Sequence, residues 1–144
     1  MRRKQTVAAE TDLKRLLATM QPTLSAETYV FCSLKDMDRL GALKPRMFFV
    51  EAEGLTLIIE REAALAEDLA FEFECRMITL NVHSALEAVG FLATVIPALA
   101  KLGMGVNPVA GFYHDHLFVP ANRAQDALRC LQAESNKAAA ALAG

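Results

Sequence analysis

The sequence has no surplus of either charge, no paired-cysteine motif and no apolar run long enough to cross a membrane, and each absence closes off a class of function. Fifteen Lys and Arg stand against seventeen Asp and Glu, a formal net charge of -2. A nucleic-acid binder would show a basic excess, and none exists here beyond Arg2, Arg3 and Lys4. The cysteines, Cys32, Cys75 and Cys130, are odd in number, widely spaced and without a C-x-x-C pair. That argues against a disulfide scaffold or a zinc ribbon and for a reducing compartment. The most apolar stretch, residues 85–102, is broken by Glu87, Gly90, Pro97 and Lys101. It lacks the roughly 18 uninterrupted apolar residues of a membrane span and reads as a buried helix. The basic start is followed by Glu10, Asp12, Lys14 and Arg15 rather than by the hydrophobic region of an export signal. No G-x-S-x-G elbow, P-loop or G-x-G-x-x-G occurs, and no Ser or Cys has an activating context. The expectation is a cytoplasmic protein, with no cofactor, no catalytic residue, and neither membrane nor nucleic acid as partner.

What is present is core-forming material. Hydrophobic residues make up 53 % of 144, enough for one ordinary domain or two small ones sharing a core. Asp12 is placed to cap a helix reaching about Met20, with Leu13, Leu16, Leu17 and Met20 at helical spacing and Pro22 ending it. Residues 29–34 have the composition of a buried strand, and residues 35–44 of a loop or a single helical turn. Residues 47–50 and 55–59 flank Glu53 and Gly54 as a hairpin, and a short helix follows over 61–69.

The next strand, 71–82, puts Ile78, Leu80 and Val82 on one face and Met77, Thr79, Asn81 and His83 on the other. This alternation suits a sheet covered mainly on one side. Ser84 with Glu87 three residues on has the form of a capping box opening a long helix over 84–102. Pro97 is expected to kink that helix and Gly103 to end it. A second hairpin, 106–112 with 116–119, turns at Tyr113, His114 and Asp115, and Pro120 leads into a last helix over 121–133 with a fraying Ala-rich end.

The order of elements repeats: strand, loop, hairpin, helix, then strand, long helix, hairpin, helix. The hairpins are offset by about 60 residues, the size of one supersecondary unit. The expected organisation is a flexible tail at 1–10, halves at 11–70 and 71–135, and a second flexible tail at 136–144.

In such a unit the end of strand 71–82, the following helix start and the second hairpin turn meet at one edge. That edge gathers His83, Ser84, Glu87, Tyr113, His114, Asp115 and His116, all three histidines included. A helix N-terminus offers unpaired N–H groups to a carboxylate or phosphate, and Glu87 or Asp115 can hold an ammonium group. Together these are the groups that recognise an α-amino acid. Plainer roles stand beside this one: a capping box for Ser84 and Glu87, and an ordinary turn aspartate for Asp115. His83, His114 and His116 have the types of a metal site, but no acidic or cysteine partner is fixed, and no metal ligand is assigned.

The run 78–90, from Ile78-Thr79-Leu80-Asn81-Val82-His83-Ser84 to Gly90, and the run 105–119, ending Tyr113-His114-Asp115-His116-Leu117-Phe118-Val119, resemble the ACT domain family. More closely they resemble small stand-alone bacterial ACT-domain proteins of uncharacterised function. The resemblance implies an α+β fold with ferredoxin-like βαββαβ architecture, as two ACT-like halves with antiparallel sheets and helices packed on one face. It further implies regulatory binding of an amino acid or related carboxylate between modules, against residues 83–90 and 105–107, and a homodimer. Gly90 takes the place of the family's loop glycine, and Asp115 that of an aspartate before the third strand. The family's usual charged loop motif is replaced by Glu87, Ala88, Val89 and Gly90. The ligand-binding set expected from residues and resemblance together is His83, Ser84, Glu87, Gly90, Asn107, Tyr113, His114 and Asp115. The alternatives are an interaction module with a vestigial pocket and a metal-dependent enzyme using the histidines.

Overall fold

The computed structural model describes residues 10–144. The tail expected at 1–10 therefore lies outside the described residues except for Glu10, whose amide donates to His83 O at 2.8 Å and whose carbonyl accepts from Ala85 N at 3.0 Å.

Helix α1, Leu13–Thr19, begins at Asp12, whose carboxylate accepts from the amides of Lys14 and Arg15 as the sequence predicts. Two strands follow, β1 (Pro22–Leu24) and β2 (Tyr29–Leu34). A 3-10 turn at Met37–Arg39 and the one-turn helix α2 (Leu40–Leu43) lead to the hairpin β3 (Met47–Val50) and β4 (Leu55–Glu60), and then to α3 (Arg61–Ala66). The second half is β5 (Glu72–Leu80), α4 (Phe91–Ala100), the hairpin β6 (Asn107–Ala110) and β7 (Asp115–Pro120), and α5 (Ala124–Ala143).

The strands form one sheet rather than two, in the order β3-β4-β2-β5-β7-β6, with β1 also on β5. All pairings are antiparallel. Read from β2, the elements β2-α2-β3-β4-α3-β5 are themselves βαββαβ, with β5 as fourth strand beside the first. Read from β5, the same strand opens the second unit, and β1 and β2 occupy its fourth-strand place. The two halves thus meet through a strand they share. At their junction β5 bulges: its register against β2 shifts between Tyr29 and Phe31, and Phe73 adopts a left-handed φ of 59°.

Alternation sorts the side chains into two faces. Val30, Cys32, Leu57, Ile59, Ile78, Leu80, Leu117 and Val119 lie on the face that the helices cover. Near β5 and β7 that face packs on Leu16, Phe91, Val95, Leu99 and Leu131 from α1, α4 and α5. Near β2 and β4 it packs on Leu43 and Ala64 from α2 and α3. The other face closes on its own aromatics, with Phe118 edge-on to Tyr29 and Phe31 at 5.8 and 6.1 Å between centroids.

Three expectations are corrected. The long helix does not begin at Ser84 but at Phe91, and ends at Ala100. Asp115 is not a turn residue but the first residue of β7, opposite Leu80 and Ala110. The last helix does not fray after 133, because α5 continues to Ala143, through the stretch expected as a flexible tail. It lies along α1, and Ser135 Oγ donates to Ala18 O at 3.2 Å. Among the described residues no helix is long and apolar enough to cross a membrane.

Candidate functional site

Residues 81–90 are an irregular connection. Their backbone groups are spent on tight local bonds, Val82 N to Leu80 O and Ser84 N to Val82 O, each at 2.9 Å, and on the bridge to Glu10. A helix starting at Ser84 would open with the Ala88 amide on Ser84 O, but that amide instead closes a tight turn on Ala85 O at 2.9 Å, so the capping box has nothing to cap. Ser84 Oγ instead reaches only Ala85 O, at 3.5 Å, and Glu87 lies exposed. The helix starts where the chain can turn sharply, at Gly90, whose φ is 88°. A side chain is strained in that conformation, so glycine fits the position.

No side chain caps α4. The Gly90 carbonyl already accepts the Thr94 amide and hydroxyl, at 3.0 and 2.9 Å, while the first amides of the helix, at Phe91, Leu92 and Ala93, point out of its end. A cavity of about 190 Å³ opens there, lined by Ser84, Ala88, Gly90, Leu92, Ala110 and Asp115 among others. Drug-sized sites are roughly 300–1,000 Å³, so this one suits a compact molecule.

Asp115 enters the cavity from the sheet. Register with Leu80 and Ala110 puts it on the helix-covered face, beneath α4, and it is only 8 % exposed. Its carboxylate accepts no hydrogen bond from any described residue. No side-chain oxygen of the described residues is both sealed and unpartnered, so the Asp115 oxygens face the open volume. Burial raises the carboxyl pKa, with the His114 ring opposing. A fixed carboxylate and uncapped helix amides therefore border one small cavity, complementary to an ammonium and a carboxylate respectively.

The three histidines, gathered along the sequence, are divided by the fold. His114 Nδ1 lies 3.1 Å from Val82 O. A carbonyl only accepts, so Nδ1 carries the proton and the ring ties the hairpin turn to the 81–90 connection. The His83 ring packs on Tyr113 at 5.1 Å. His116 points to the opposite face, its Nδ1 2.9 Å from Thr79 Oγ1, and burial, then Arg46 and His114, lower its pKa. Among the described residues no three His, Cys, Asp or Glu converge as a metal set would.

The cavity thus brings together Ser84, Gly90 and Asp115 of the expected set. His83, Tyr113 and His114 brace the loops beside it. Asn107 is elsewhere: it pairs with Phe118, three residues down β6 from Ala110, about 10 Å away along the strand. Sequence reasoning missed Ala110, Gly111 and the amides of Phe91, Leu92 and Ala93. The signal for the amides was present, since Gly90 precedes an apolar series, Phe91, Val95 and Leu99, at helical spacing. Gly111 is required by the turn, because a Cβ there would meet His114 O at 2.8 Å.

Residues 8–76 match one model of the ACT domain and residues 72–133 a second. The chain belongs to the ACT domain family. The two ACT matches overlap within β5, the strand that both halves use. This ACT protein is similar to a Vibrio cholerae protein of unknown function, described as a possible transport protein. Identity is 42 % over 85 % of this chain and 95 % of that one, with a TM-score of 0.78. It also resembles an Agrobacterium tumefaciens protein at 17 % identity, covering 79 % and 87 % of the two chains, TM-score 0.66. The regulatory subunit of aspartate kinase from Thermus flavus matches at 12 % identity, covering 81 % and 98 %, TM-score 0.56. The last two likenesses are of fold. No curated protein matches the sequence.

Proposed function

We propose that this ACT protein is a non-catalytic regulatory sensor of an amino acid or related carboxylate, bound in the cavity between Asp115 and the start of α4. The observation that carries the reading is the Asp115 carboxylate, buried, without a described partner, and facing uncapped helix amides. The effector's carboxylate would take the amides of Phe91, Leu92 and Ala93, and its ammonium would take Asp115. Fold likeness to aspartate kinase regulatory subunits supports a regulatory role. Three free thiols support a reducing cytoplasm, and a homodimer is part of the proposal.

The test is a thermal-shift screen of the protein against the twenty amino acids and a panel of small carboxylates. A ligand at 100 times its dissociation constant adds about 2.7 kcal/mol to stability. The expected result is a shift with at least one amino acid that Asp115→Asn abolishes. A flat screen on folded protein rejects the sensor. The interaction-module reading then gains, since Leu86, Val89, Phe112 and Tyr113 are exposed on the loops bordering the cavity.

A further inference from the structure

We infer that the sheet face turned away from the helices carries an oxyanion site, where Arg46 and the Tyr29 hydroxyl hold a phosphate-sized anion with His116 beside it. The site is independent of the cavity at Asp115, which opens on the other face.

The face is curled, and its aromatics show the curl. Strands β2 and β7 are separated by β5, so in a flat sheet they would stand roughly 10 Å apart. Phe118 of β7 nonetheless meets Tyr29 and Phe31 of β2 at 5.8 and 6.1 Å between centroids. Met47, on the strand at one end of the sheet, and Val109, on the strand at the other, both pack on this cluster. Arg46 comes just before Met47, and its amide donates to Ile58 O at 2.7 Å. In a flat sheet β3 would lie roughly 19 Å from β7, four strands away. The Arg46 charge is nevertheless felt at Tyr29 and at His116 of β7, so its guanidinium reaches over the curled face.

The donors on this face are unspent. Arg46 is exposed and enters no ion pair among the described residues. Tyr29 is only 4 % exposed, its ring held edge-on against Phe118. Its hydroxyl bonds to no described residue, yet no side-chain oxygen among the described residues is both sealed and unpartnered. The hydroxyl therefore opens to the surface, an oriented donor with its acceptor place empty. His116 is half-buried and fixed through Nδ1 on Thr79 Oγ1. Burial disfavours its imidazolium most, then Arg46 and His114. The other groups acting on Tyr29 are Glu27, Glu60 and Cys75, each more weakly than Arg46, and both glutamates are exposed. A guanidinium and a fixed hydroxyl, neither taken by a carboxylate among the described residues, suit an oxyanion. An anion that neutralises Arg46 also favours the proton on His116, so anion binding and His116 protonation are linked.

The test follows the His116 ring of the full chain by proton NMR through its titration. One series is in sodium chloride and one in sodium sulfate at equal ionic strength, with His116→Gln assigning the signal. Sulfate is the probe because its charge is constant through the histidine range. In the wild type, sulfate is expected to move the His116 titration to higher pH, by about 0.5 or more. Arg46→Gln, at an exposed position, is expected to raise that titration already in chloride and to abolish the sulfate response. Tyr29→Phe keeps the ring on Phe118 and is expected to need about tenfold more sulfate for the same shift. A wild-type titration that sulfate leaves unmoved overturns the site, and so does a response that survives Arg46→Gln. The sensor reading is decided by the amino-acid screen, on which none of these outcomes bears.

Discussion

Replacing Asp115 by Asn keeps the shape of the side chain and removes its charge, and the consequences for stability and binding should run in opposite directions. The carboxylate is buried, receives no hydrogen bond from a described residue, and has its pKa raised by burial. Asn leaves a polar group in the cavity but removes the charge that burial penalises, and in a domain of this size each 1 kcal/mol so relieved is worth roughly 3 °C in Tm. Because the folded form keeps its proton to higher pH than the unfolded chain, the stability this group contributes is fully present below the ordinary value of 3.8. It is lost as pH rises through the raised folded value. Asp115→Asn should therefore melt higher than the wild type at pH 7, with the difference shrinking towards zero below pH 3.8. The same variant should lose the amino-acid shift. Calorimetric melts of both proteins across that pH range, with and without ligand, make the comparison. A variant less stable than the wild type at pH 7 would refute the reasoning, since it would show that the carboxylate is a satisfied structural pin.

Gly90→Ala should cost about 1–2 kcal/mol in thermal melts, from its left-handed φ alone. The new Cβ would meet only Leu13 Cδ2, at 3.5 Å, an ordinary contact; no measurable cost would mean α4 begins differently. Phe118→Ala should lose about 3–5 kcal/mol in urea unfolding, since Phe118 is buried between Tyr29 and Phe31, and a loss under about 1 kcal/mol would mean that face is not closed. Cys75 is fully buried, its thiol pushed up to about 12, so it should react with a thiol reagent only after unfolding. Cys130, half-buried, should react first, and rapid labelling of Cys75 in native protein would contradict the core packing.

The strands were legible because their signal is local: alternation and β-branched or aromatic residues mark 29–34, 47–50 and 55–59, and the structure forms strands there, the last running one residue further to Glu60. The start of α4 was not, because Ala85 to Ala88 are good helix formers, yet the Ala88 amide closes an isolated turn on Ala85 O and the helix begins only after the left-handed Gly90. Strand β1 escaped notice for a related reason. Pro22 reads as a helix stop, yet as the first residue of a short strand it is tolerated, opposite Leu80. The persistence of α5 depends on α1 lying alongside it, which Ala-rich composition does not announce. Asp115 was read as a residue of the hairpin turn, which would have left it in water, and the strand register is what buries it.

The double use of β5 makes this ACT protein indivisible. A chain with two autonomous modules can be cut at a linker, and each piece folds; here a cut before Glu72 strips the first unit of its closing strand, and a cut after Leu80 strips the second of its opening one. The two units should consequently melt in a single transition, and neither can be transplanted without the other. Motion of that strand along its axis would also be felt at both ends at once, at the Phe73 bulge beside β2 and at Leu80, which faces Asp115 across the ladder.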